Sequence, residues 1–370
     1  MKHSQTILAA GLAAVILTVS LHAQEDGYIL NQPGYVKIMP MYQSWNIDWV
    51  NSTDMTLSSA DVEFHYPVSE QLSATLRTAP LSTGGNFAES NGMTDTQIGL
   101  TYTFPKQHLL AVLGLNIPTG QTELPIDDFL TNLSLSNRIF EFNSPVMGQG
   151  FNVHPGLIWA LPLSKSLVLG VGATYQYKGA YIPLDNGGEY DPGDEILGTV
   201  GLDYRLSETS VVSADVVYVH YGEDTYWGER VFEYGDRVSV NAQFRTSFGY
   251  NVLWLYARYR TKEESTIWPG TYVVQLADRV EPDNVNFTAS YSMRFSPMFT
   301  LGVLGQVRMF EETTATISGV TLFGAGLNPE ITIGRLLSIP ILVKYEFGEE
   351  KEGYSISGLH AGAGVQYYLR

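Results

Sequence analysis

Basic side chains recur on one parity of several alternating segments: Arg77, Lys178, Arg205, Arg245, Arg258, Arg260, Arg294, Arg308 and Lys344, with Asp61, Glu63, Asp203 and Glu346 sharing that parity. Guanidinium and ammonium groups gathered on one wall attract carboxylates and phosphates and can set the selectivity of an anion path. The same groups pair with carboxylates across strands and are screened by water, which is the stronger reading for charges inside a barrel. Both readings require strands that turn these side chains towards one interior.

Other combinations carry less chemistry. Asp185-Asn186-Gly187-Gly188-Glu189-Tyr190-Asp191-Pro192-Gly193-Asp194-Glu195 holds enough oxygen ligands for Ca²⁺ but lacks the spacing of a calcium-binding loop, so a solvated turn is expected and no metal site is assigned. Hydrolysis would need a His beside Ser or Asp, and His65, His108, His154, His220 and His360 lie in no local nucleophile motif. Gly170-Val171-Gly172 and Gly362-Ala363-Gly364 are not followed by helices and read as sites of packing or strand curvature, not as phosphate loops. Neither catalysis nor a cofactor is expected.

The long connection from Thr119 to Gly150 is different. Ile126, Phe129, Leu130, Leu133 and Phe140 follow helical spacing after Pro125 and Asp127-Asp128, which predicts a short amphipathic helix over Pro125 to Phe140. Its apolar face must lie across a barrel mouth or against neighbouring loops, acting as a lid and greasy entry surface or as a brace.

The elements that would position these groups are long alternating strands. Val238, Val240, Ala242, Phe244, Thr246 and Phe248 share one face, opposite Ser239, Asn241, Gln243, Arg245 and Ser247. Leu167 to Lys178, Asn284 to Ser296 and Gly358 to Leu369 repeat the pattern. Turns at Pro67, Pro105, Pro162, Ser207, Gly249, Pro297 and Gly334 are short, and longer acidic connections alternate with them. Counting Val36 to Gln43 as the first strand gives about 16 strands, an even number that returns both termini to one side. If that segment instead folds inward as a plug, about 14 remain. Tyr66, Phe104, Trp159, Tyr204, Phe248, Phe295, Phe299 and Tyr367 fall near the short-turn ends of the apolar faces, and Tyr177, Tyr218, Tyr259 and Phe347 near the other ends, as two interfacial girdles would. The fold class is therefore all-β: a transmembrane up-and-down antiparallel barrel with a short helix in an extracellular loop.

The N-terminus supplies the address. Met1-Lys2-His3, an apolar run from Ile7 to Leu21 and Leu21-His22-Ala23 read as a signal peptide, residues 1–23, with no Cys beyond it to take a lipid. Residues 24–370 then form one barrel domain, with 24–35 flexible or plug-like and 119–149 the helix-containing loop. The absence of Cys excludes disulfides and thiol chemistry, and a formal charge of −17 argues against a nucleic-acid partner. An outer-membrane location follows, with lipid, lipopolysaccharide and the barrel-assembly machinery as partners.

Three runs carry a resemblance: Gly92-Met-Thr-Asp95-Thr-Gln-Ile-Gly99-Leu-Thr-Tyr, Leu113-Gly-Leu-Asn-Ile-Pro-Thr-Gly120 and Gly148-Gln-Gly150-Phe-Asn-Val-His-Pro-Gly156. Together with the layout from Asp61 onward, they resemble the meta-pathway phenol-degradation type of outer-membrane proteins, related in architecture to long-chain fatty-acid transporters. The resemblance implies a barrel admitting small hydrophobic or aromatic molecules. Gly364, Tyr367 and Leu369 are similar to the outer-membrane assembly signal, although the chain ends in Arg370 instead of an aromatic residue. The expected function is passive uptake of small, mainly hydrophobic solutes. The rivals are a general diffusion porin and a non-conducting surface-interaction barrel that makes divalent-ion contacts through its acidic loops.

Overall fold

Alternation of apolar and polar side chains over a dozen residues buries neither face of a sheet in water, and the fold resolves this by turning polar groups inward. The computed structural model describes residues 33–48, 53–86, 88–143, 148–268, 276–278, 281–313 and 319–369. Residues 1–23, expected to be a signal peptide, and nearly all of 24–35 lie outside the described residues; Tyr35, at the end of that segment, already belongs to a strand.

Sixteen antiparallel strands close into a barrel. They are β1 (Tyr35–Ile47), β2 (Thr53–Pro67), β3 (Leu72–Thr78 with Pro80–Gly85), β4 (Asn91–Met93 with Thr96–Phe104) and β5 (Leu109–Ile117). After helix α1 (Ile126–Leu135) come β6 (Asn152–Pro162), β7 (Leu167–Lys178), β8 (Glu195–Arg205), β9 (Ser210–Tyr221), β10 (Arg237–Phe248) and β11 (Asn251–Lys262). The wall ends with β12 (Asn284–Ser296), β13 (Phe299–Phe310), β14 (Val320–Ile333), β15 (Leu337–Glu350) and β16 (Ser355–Ala363 with Val365–Tyr368). Each strand pairs with its sequence neighbours, and β1 closes the cylinder by pairing with β2 (Tyr35↔His65) and with β16 (Ile47↔Ile356, Tyr35↔Tyr368). Val36 to Gln43 is thus wall and not plug, which removes the 14-strand alternative. Closure leaves no unpaired edge, the condition for a sheet to sit in lipid.

Short turns lie at one end. Between β10 and β11 the turn is Gly249-Tyr250, with a φ of 64° at Gly249, a left-handed position that costs glycine little and suits a two-residue hairpin. At the other end the connections are less uniformly long than their alternation suggests: β1–β2, β3–β4 and β15–β16 are also short in sequence. The long ones build a separate sheet above the wall from Tyr190–Asp191, Glu223–Tyr226, Glu229–Glu233, Ser265–Ile267 and Leu276–Asp278.

Polarity is inverted relative to a water-soluble core. Inward Gln43, Asn286, Thr288 and Glu346 are almost fully buried, whereas outward Val240, Phe287, Leu327 and Tyr345 are exposed. So broad an exposed apolar band is stable only in hydrocarbon, which makes this an outer-membrane barrel. Tyr66, Phe104, Trp159, Tyr204, Phe248, Phe295 and Tyr367 stand exposed near the short-turn end, with half-buried Phe299 stacked on Phe295; Tyr177, Tyr218, Tyr259 and Phe347 stand exposed near the other.

Candidate functional site in the bore

The connection between β5 and β6 enters the barrel. Pro125 opens α1 where its missing N–H costs nothing, Asp127 and Asp128 face the positive end of the helix dipole, and Ser136 closes it. The helix stops at Leu135 and not at Phe140, because Asn137 N–H donates to Ser134 O and Phe140 N–H to Asn137 O in turns that redirect the chain inward. Leu124, Leu135, Ile139, Phe140 and Phe142 then bury against Trp45, Ile47, Met55, Leu57, Leu81, Phe310, Val320, Leu322 and Ile356 from the outer ends of the strands.

Of the side chains expected to form a lid, Phe140 is buried in this cluster and Phe129 packs against it, but Ile126, Leu130 and Leu133 are more than half exposed, Leu130 at the edge of a cavity. Spacing put Ile126, Phe129, Leu130 and Leu133 on a common stripe; the orientation of α1 divides that stripe, with Phe129 on the plug, Leu130 beside a cavity, and Ile126 and Leu133 exposed. A cavity of about 670 Å³ opens between α1 and the rim, lined in part by Ile47, Met55, Leu130, Ile139, Phe140 and Ile356.

Both ends of the inserted loop are held by one carboxylate. Asp95, in the break of β4, accepts Gly120 N–H at 3.0 Å through Oδ1, and Gln149 N–H and Asn116 Nδ2 at 2.7 Å through Oδ2. Asn116 also donates to Gly150 O at 2.9 Å.

Below the apolar plug the loop docks on charge. Arg308 donates to Ile139 O at 2.8 Å and Arg138 O at 3.3 Å, and Gln43 is bracketed by Glu141 O and Asn143 N–H. Glu141 lies 3.3 Å from Lys344 and 3.6 Å from Arg308. Glu346 binds Arg308 at 2.5 Å, Lys344 at 2.8 Å and His360 at 2.9 Å. Burial pushes the Glu141 carboxyl up, but Arg308 and Lys344 outweigh this and hold it below the usual carboxylate range. A second tie joins loops: Glu281 accepts Lys262 at 2.8 Å and faces Arg138 at 3.3 Å. Burial opposes that charge too, yet Arg138 and Lys262 bring the Glu281 pKa down to about 2.

The predicted basic side chains are not one group. Arg308 and Lys344 serve the plug; Arg77 pairs with Asp61 at 2.7 Å and Lys178 with Glu195 at 2.6 Å. Arg294 keeps inward parity but lies exposed at the short-turn rim, bonded to Ser296 O and set against the Tyr250 ring. Arg245, Arg258 and Arg260 share the β10–β11 wall, where Arg260 is buried with a Ser239 hydroxyl at 3.4 Å. The residue pattern did not single out Arg138, Glu141, Gln43, Arg237 or Asp95. Asp95 alone had a signal, as the acid within the Gly92-Met-Thr-Asp run.

No protein-family model matches the chain, and no curated protein does. Among solved structures the chain is similar to CdiB from Acinetobacter baumannii, with a TM-score of 0.53 at 10% identity, over 90% of this chain and 60% of that one. It thus spans less than two thirds of that protein, and the similarity shows a shared barrel fold. The CymD monoaromatic hydrocarbon channel aligns over 99% of this chain and 97% of its own at TM-score 0.49 and 10% identity. The TodX ΔS2S3 mutant monoaromatic hydrocarbon channel aligns over 97% and 95% at TM-score 0.49 and 12% identity.

Proposed function

We propose that this protein is an outer-membrane diffusion channel for small solutes, its bore narrowed by the inserted loop. The observation that carries this is the docking of residues 137–143 inside a closed, polar-lined sixteen-stranded wall, on Gln43, Arg308 and Lys344. A barrel of this size encloses more space than its own wall side chains fill, and the loop takes up part of it. Hydrophobic or aromatic solutes are a second, narrower reading, favoured by the cavity beside Leu130 and Phe140, where an apolar ring leaves water before meeting the polar bore.

Planar-bilayer recording of the refolded mature protein, beside a variant lacking residues 124–140, tests the channel. Small steps that enlarge in the deletion support it; silence in both overturns it and favours the structural barrel. Liposome uptake tests the second reading: toluene entering faster than sugars of similar size supports it, and equal entry overturns it.

A further inference from the structure

The wall formed by β10, β11 and β12 carries cations and no acid on its inward face. Its inward residues run Arg237, Ser239, Asn241, Gln243 and Arg245 on β10; Trp254, Tyr256, Arg258, Arg260 and Lys262 on β11; Asn284, Asn286, Thr288 and Ser290 on β12. At its outer end Lys262 is answered by Glu281. Deeper in, Arg258 and Arg260 have no carboxylate in contact among the described residues. Arg258 touches the Tyr256 hydroxyl and feels the charge of Glu141, which Arg308 and Lys344 already hold, while Asp215 on neighbouring β9 is taken by Asn241 at 2.6 Å.

Two donors beside this gap are left over. Asn286 stands directly across from Arg258 in the sheet register and is 1% exposed. Its Oδ1 accepts Gln306 Nε2 at 3.3 Å and the Thr288 hydroxyl at 3.2 Å, which fixes the amide with Nδ2 as a free donor. That Nδ2 and Arg258 Nε have no hydrogen-bond partner among the described residues. Buried donors without acceptors are costly unless a ligand supplies one. On the same strand face, Trp254 and Tyr256 stack with centroids 5.5 Å apart and planes at 11°, their polar atoms tied back to Gln243 and Asn241. The rings therefore form a platform whose orientation is set.

We propose that this wall is a binding site for aromatic carboxylates: the carboxylate bridges Arg258 Nε and Asn286 Nδ2 under the field of Arg260, and the ring lies along the Trp254–Tyr256 platform. A guanidinium and an amide give a carboxylate two charge-assisted hydrogen bonds, and the platform distinguishes a ring from a short aliphatic acid. The assignment rests on the channel reading and narrows its solute to one class.

Calorimetric titration of the refolded full-length mature protein with sodium benzoate, acetate, phosphate and benzyl alcohol tests it, alongside bilayer recordings with benzoate added. Benzoate is expected to bind most tightly of the four and to slow the chloride current. Arg258→Gln should weaken benzoate about tenfold or more, as the loss of one charge-assisted contact requires. Asn286→Leu should weaken it in the same direction, and Trp254→Leu should bring benzoate down to acetate. Unchanged heat-modifiable migration on gels shows that a variant has folded, and Arg258→Lys, which keeps the charge but lacks the Nε donor, should bind between wild type and Arg258→Gln. Benzyl alcohol or acetate matching benzoate in wild type overturns the assignment, as does equal benzoate binding by folded Arg258→Gln. Conductance without benzoate binding refutes this site and leaves the channel standing. Benzoate binding without conductance refutes the channel and keeps the site.

Discussion

If Asp95 holds both stems of the inserted loop, removing its carboxylate should release the loop without dismantling the wall. Asp95→Ala deletes three hydrogen bonds to a residue that is 6% exposed, from Gly120 N–H, Gln149 N–H and Asn116 Nδ2. Bonds to a charged acceptor contribute about 1.5 kcal/mol or more each, but two of these donors are backbone groups near the mouth that water can reach, so a net loss of about 2 kcal/mol is a reasonable expectation. That is about a 30-fold rise in the population of undocked loop. Asp95→Asn should act in the same direction, because its amide turns one acceptor into a donor facing another donor. Single-channel recording reads the outcome. Wild type should dwell in the small step, and Asp95→Ala should show frequent excursions to the larger step seen when residues 124–140 are deleted. The excursions require only undocking of the Arg308, Gln43 and Lys344 contacts, which the clamp makes rarer. If folded Asp95→Ala matches wild type in step size and dwell time while the loop deletion does not, the clamp has no role in holding the loop.

Other expectations follow from the same contacts. Glu346 is wholly buried among Arg308, Lys344 and His360, so Glu346→Gln should cost about 3 kcal/mol or more and lower the temperature at which folded protein unfolds on gels. A Cβ on Gly358 would come within 2.7 Å of the Trp45 indole, against which Phe140 packs with centroids 5.4 Å apart; Gly358→Val should cost about 1–3 kcal/mol and increase gating noise. The Glu141 pKa is depressed when the loop is docked, so its contribution is present above the ordinary carboxylate pKa and is lost as pH falls through the docked value. Current noise should accordingly stay flat from neutral pH to the ordinary carboxylate range and rise below it, and Glu141→Gln should show the acid-state noise already at pH 7. By the same sign, the Glu281 tie to Arg138 and Lys262 should weaken progressively below its ordinary pKa and be lost as pH approaches about 2; Glu281→Gln should shift loop protection in hydrogen exchange already at neutral pH.

The wall was legible because a strand has a period of two and lipid enforces it. One slipped residue in β10 would put Arg245 into hydrocarbon and Phe244 into the bore, so parity written in the chain becomes side of the wall in the structure. Turn chemistry at Gly249 and Gly334 and the aromatic placements carried the same information. The helix was legible in its start, since Pro125 and Asp127-Asp128 are local signals. Its end was not, because the turns that stop it at Leu135 lead to a chain that is held by Arg308 and Gln43, residues far away in sequence.

The sequence by itself thus determined a cysteine-free, alternating chain with an even strand number and cations on the inward parity. Only tertiary closure decided which of those cations are neutralised. Parity states that Arg258 and Arg308 face the same bore; it cannot state that Glu346 and Glu141 are delivered to Arg308 by β15 and a loop folded back through the mouth, while Arg258 and Arg260 on the β10–β12 wall meet no carboxylate among the described residues. Side of the sheet is a local property with a fixed period, whereas charge pairing across a bore depends on how sixteen strands close and where one loop comes to rest.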